Sequence, residues 1–211
     1  MSRKFSYLAV SVFLITAGML LPSFKVSTRQ GGLVLDKDQA QKAFVLLNKV
    51  RSDPNAFSER FGFSLKGVIP RSALVWDDSL AAVAERKAMD MAFHGYFGPV
   101  DQNGYGINYS INKADYSLAP NLVKHQKESS LEAIEHDAPS GEVAIKFIVI
   151  DKHHLGPDGR NLILGVGRFN STLTDVGIGY VRGSGSTQYR SYICVVVAHR
   201  NKPRASHASF Y

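Results

Sequence analysis

Residues 73–100 read ALVWDDSLAAVAERKAMDMAFHGYFGPV, and residues 159–181 read GRNLILGVGRFNSTLTDVGIGYV. In the first stretch Leu74, Val75 and Trp76 make a short extended piece. Asp77, Asp78 and Ser79 follow, and an Asp there can accept hydrogen bonds from the amides of a first helical turn. Leu80, Val83, Ala84, Ala88, Met91 and Ala92 then fall on one face of a helix of about four turns. The second stretch ends in a strand-like run, Asp175 to Val181, carrying Gly177 and Gly179.

Working outward, Ala43, Leu46, Leu47 and Val50 recur at helical spacing over residues 40–50, with Asp36 or Asp38 placed to cap that helix and Pro54 to interrupt it. A second short helix is expected over residues 56–61. Residues 95–141 break into Gly, Asn, Tyr and Pro and predict a long irregular loop, a length that in compact domains usually serves function. Val143, Ala144, Phe147 and Ile148 give a third helical face that closes at Asp151, with Glu142 suited to its N-terminal dipole. Residues 175–181 and 189–198 flank a Gly- and Ser-rich loop at 183–187 and predict a terminal hairpin. Helices first and a hairpin last imply an α+β layer arrangement.

The 211 residues suit one domain. Ser2, Arg3 and Lys4 precede an uncharged run from residue 5 to 24, the pattern of an export signal or of an uncleaved N-terminal anchor. The expected organisation is a signal peptide or membrane anchor at 1–25, a linker at 26–38, the domain at 39–200 and a tail at 201–211, in a protein that is secreted or held in the cell envelope. Cys194 is the only cysteine, which excludes an intramolecular disulfide. It lies in a β-branched run where a thiol serves as a small buried hydrophobe. The net charge of +7 includes Arg3, Lys4 and Lys25 of the leader region; the remaining cations are scattered, so no nucleic-acid partner is expected.

The two opening stretches resemble the CAP superfamily, the SCP-like extracellular domain of cysteine-rich secretory proteins, antigen 5 and pathogenesis-related proteins, in a divergent bacterial-type form. The first resembles the pattern Leu-x-Trp-Asp, a Leu-x-x-x-Ala helix, then Gly-Tyr-Phe and a His. The second resembles Gly-His-Arg-x-Asn-Leu-Leu with a Gly-Ile-Gly strand after it. The resemblance implies a three-layer α-β-α sandwich with an antiparallel sheet ending in the C-terminal hairpin.

Members of that family often hold two His and two acidic residues around a central cleft, which in some of them binds a divalent metal. Carried onto this chain, the first His position falls on Pro99, which has no lone pair for a metal, and the Gly-His-Arg reads Asp158, Gly159, Arg160. His94, five positions before Pro99, is the substitute on offer, against a bland reading as a His near a helix C-terminus. Glu132 and Asp151 stand where the family's acidic residues are expected; a plain reading of Asp151 is a helix-end capping carboxylate. His153 and His154 precede the second motif, displaced by extra loop residues. Adjacent His side chains diverge and a metal site needs three or four convergent ligands, so an exposed polar loop is the expectation for this pair.

The cleft candidates are therefore His94, Glu132, Asp151, His153 and His154, with no catalytic residue and no cofactor assigned. The expected role is a binding or interaction module with a degenerate cleft, its partner an extracellular or envelope ligand and residues 5–24 its tether if retained. The alternatives are a metal-dependent, peptidase-like hydrolase using Glu132, Asp151 and His153 or His154 with an ion such as Zn2+, and an extracellular lipid- or sterol-binding protein.

Overall fold

The computed structural model of the chain describes residues 27–201 except 31 and 157. The leader, and all but the first residue of the expected tail, lie outside the described residues. Two short strands, β1 (Ser27–Gln30) and β2 (Leu33–Asp36), pair as an antiparallel hairpin and lead into α1 (Lys37–Ser52). The segment expected to be a linker is thus largely sheet: Val34 and Leu35 pair with Arg182 and Val181. Asp36 caps α1 by accepting the amide of Gln39. A 3-10 turn and α2 (Ser58–Phe61) come next, then β3 (Val75–Trp76) and α3 (Asp78–His94). Asp77 caps α3 through the amides of Ser79 and Leu80, and Gly95 ends it in the left-handed region at φ 66°.

The stretch expected to be irregular holds α4 (Ile107–Lys113) and β4 (Glu132–His136). Then α5 (Gly141–Ile150) starts from the Ser140 hydroxyl and ends at Asp151, and α6 (Asp158–Leu164) follows. Strands β5 (Asp175–Arg182) and β6 (Ser191–Ala198) close the chain as the long hairpin.

The sheet runs β1-β2-β5-β6-β4 with antiparallel pairing throughout, and the two residues of β3 add in parallel to β5. Alternation along β5 sorts the layers. Gly177 and Gly179 face α3 so closely that an added Cβ would overlap the backbone of Leu80 and Ala81 at one and of Ala84 and Glu85 at the other. These two positions admit only hydrogen, because the helix backbone lies on the strand. The intervening Ile178 and Tyr180 point to the opposite layer, where the Tyr180 hydroxyl donates to the carbonyl of Ala138 just before α5. There α5 packs on α1 at Gly141, which meets the Gln39 carbonyl, while Gly159 of α6 sits on Ala133. One helical layer on each face of the sheet makes an α-β-α sandwich. Strand β6 is buried over its whole length, Cys194 included. No described helix is long and apolar enough to cross a membrane.

Candidate functional site

Strand β4 is an outer strand of the sheet, paired on one side with β6. The amide of Val197 donates to the Leu131 carbonyl and that of Asp137 to the Ser191 carbonyl. By the antiparallel alternation, residues 131, 133, 135 and 137 turn their backbone groups toward β6, and 132, 134 and 136 turn theirs to the free edge. A cleft of about 370 Å3 opens along that edge. One wall is Phe97, Gly98 and Pro99, on the loop that leaves α3; the other is Asp151, Leu155, Gly156, Asp158 and Gly159, between the end of α5 and the start of α6.

Glu132 projects from β4 on the α3 side, where the Cys194 thiol donates to its Oε2 at 3.8 Å. Its Oε1 is shielded from solvent and has no hydrogen-bond partner. Burial pushes the Glu132 carboxyl up to about 7, against the opposing pull of Lys87, Ser129 and Cys194. At neutral pH it therefore alternates between proton donor and carboxylate. The same apolar surroundings push the Cys194 thiol well above its ordinary value, which leaves it inert as a nucleophile. Asp151 also lines the cleft. It stands in the left-handed conformation, φ 52°, and its Oδ1 accepts the amide of Gly156 across the loop.

Pro99 lines the cleft at the position expected for an imidazole, and its carbonyl accepts the Ser129 hydroxyl at 2.8 Å. His94 stands elsewhere, exposed at the end of α3, paired with Asp90 at 2.8 Å and opening onto a separate pocket with Arg86, Phe93 and Tyr105. His154 is exposed on the loop with φ 54°. The cleft thus offers carboxylates and no imidazole lining, a donor set that does not fit the two-His, two-acid metal centre that the sequence resemblance implies.

His153 turns inward, contrary to the expectation of an exposed loop residue for both members of the pair. Its Nδ1 meets Glu135 Oε1 at 2.5 Å, and Glu135 is 1% exposed. The same carboxylate oxygen accepts the backbone amide of His136. The ring of His136 lies between two others, with centroids 4.0 Å from His153 and 3.8 Å from Tyr189, both nearly parallel to it. Phe97 meets His136 edge-on and Phe147 meets His153 edge-on. Burial and the neighbouring His153 hold His136 below its ordinary value, so it is neutral at pH 7. Glu135 and His136 were missed in the sequence; the one available signal was the two-residue alternation Leu131, Ala133, Glu135, which places a carboxylate where the core expects an apolar side chain.

The model of the cysteine-rich secretory protein family, CAP, matches residues 47–198. None of the curated proteins matches. Among solved structures the fold is similar to an extracellular protein containing a SCP domain from Bacillus anthracis str. Ames, at 19% identity and a TM-score of 0.49, over 77% of this chain and 41% of that one. The chain therefore spans less than half of that protein's length. Matched by the family model from α1 to the last residue of β6, the chain belongs to the CAP, or cysteine-rich secretory protein, family.

Proposed function

We propose that this CAP domain is an exported binding module whose edge cleft holds a small ligand without turning it over. Export is supported by the charged start and uncharged run of residues 2–24. The observation that carries the binding role is Glu132: a carboxyl oxygen shielded from solvent, facing a cleft and without a partner. An unsatisfied buried polar atom costs stability, about 1–3 kcal/mol, and a ligand that donates a hydrogen bond to it recovers that cost. The charged residues of the lining are Glu132, Glu135, Asp151 and Asp158, set among Phe97, Pro99, Ile134, Ile148 and Leu155. Such a surface favours a compact apolar ligand that carries an ammonium or hydroxyl donor over one that carries a carboxylate.

Ligand-observed NMR of the full chain with a panel of small amines, amino sugars and matched carboxylates tests this. Binding of the amine members that weakens at least tenfold in Glu132→Gln supports the reading. Preference for carboxylates, or turnover of peptide or ester substrates that Glu132→Gln abolishes, overturns it.

A further inference from the structure

We propose that Glu135, His136 and His153 form a binding site for a divalent transition-metal ion of the Zn2+ class, at the C-terminal end of β4, where Glu135 also borders the carboxylate cleft. Each residue brings one ligand atom to within 4.8 Å of the other two, and among the described residues no other group of three His, Cys, Asp or Glu converges in this way. A Zn2+ ion sits roughly 2.0–2.2 Å from nitrogen and oxygen ligands, so tetrahedral ligand atoms lie about 3.4 Å apart. Binding opens the 2.5 Å contact between Glu135 and His153 and brings the other two pairs, which lie within 4.8 Å, to that spacing by ring rotation.

The surroundings favour an ion. Glu135 is fully buried, and the side chain that meets its carboxylate is His153; no Lys or Arg among the described residues pairs with it. A buried carboxylate needs a positive counterpart, which either an imidazolium or a bound cation provides. Two imidazoles and one carboxylate are the borderline donor set of three-ligand zinc sites, with a fourth position left for water or a ligand atom. The amide of His136 already holds Glu135 Oε1, and Phe97, Phe147 and Tyr189 pack around the rings as an apolar shell that limits competing water. The side chains of His136 and His153 remain 13% and 26% exposed, which gives the ion a way in.

Titration of the untagged full chain with Zn2+ by calorimetry, paired with Cu2+ electron paramagnetic resonance, tests the site. One ion per chain is expected, with at least a tenfold weakening in each of His136→Ala, His153→Ala and Glu135→Gln, and a Cu2+ spectrum showing coupling to two nitrogens. His94→Ala, His154→Ala and Glu132→Gln are expected to leave the affinity unchanged; the last separates this site from the cleft reading. Absence of stoichiometric binding, binding that survives His136→Ala with His153→Ala, or a wild-type Cu2+ spectrum without two nitrogens overturns the proposal. The spectrum of the unaltered chain decides the matter even if a variant fails to fold.

Discussion

Replacing Glu132 by Gln is expected to stabilise the protein at alkaline pH and to leave it nearly unchanged at acid pH. The ordinary carboxyl value is 4.5 and the folded value is pushed up to about 7. As pH rises from 4.5, the unfolded chain gives up this proton first, while the folded chain keeps it until about 7. Across that window the native state binds more protons than the unfolded state, so stability falls as pH rises, and the full penalty stands above 7. The gap corresponds to about 3 kcal/mol. Glutamine keeps the shape, offers Oε1 as an amide oxygen and carries no charge at any pH. Urea denaturation of both proteins at pH 4.5, 6 and 8 isolates the effect, because every other titrating group cancels in the difference. The advantage of Glu132→Gln should grow by about 3 kcal/mol from the first to the last. A difference that stays constant within about 0.5 kcal/mol, or that shrinks with pH, refutes the assignment of a buried, unsatisfied carboxyl.

Gly179→Ala should cost about 3 kcal/mol, the upper end of overpacking penalties, because the added methyl meets the backbone of Ala84 and Glu85 and has no flexible neighbour to displace; a urea midpoint equal to wild type would show that α3 can lift from the strand. Asp77→Ala removes both the cap on Ser79 and Leu80 and the 2.8 Å pair with Arg200, and should cost at least about 2 kcal/mol, of which Asp77→Asn restores the cap's share of about 1 kcal/mol in thermal melts. Tyr116→Phe deletes the 2.6 Å bond to Asp175 Oδ2 inside a ring that also lies 4.0 Å under the Arg200 guanidinium, and should cost about 1–2 kcal/mol by chemical denaturation.

Those elements that announce themselves locally were legible in the sequence. Helix α3 carries its own cap at Asp77 and a clean apolar face, and β5 and β6 are apolar because both their faces are covered. Strand β4 was illegible for the opposite reason. It reads Glu, Ala, Ile, Glu, His, an outer strand whose inward position 135 holds a carboxylate, made tolerable by His153, 18 residues away in sequence. Strands β1 and β2 also escaped notice, since Ser27 to Gln30 is polar and the pairing of β2 lies with a strand near the other end of the chain. Within the site, Glu132 and Asp151 were reachable through the family's motif, and both line the cleft. The pairing of Glu135 with His153 is a tertiary contact that no local pattern encodes. His94 has a local explanation that could have been read directly: Asp90 precedes it by one helical turn.

The two hydrogens at Gly177 and Gly179 also decide where this scaffold can hold anything. With helix and strand in direct contact at that point, no guest can slip between α3 and β5. On β6 the partners of those glycines are Val196 and Cys194, and β4 sets Glu132 beside Val196, within electrostatic reach of Lys87 on α3. The cleft lies instead at the outer edge of β4, where the loops after α3 and α5 bound it, and a change of length in those loops leaves the contact at the two glycines untouched.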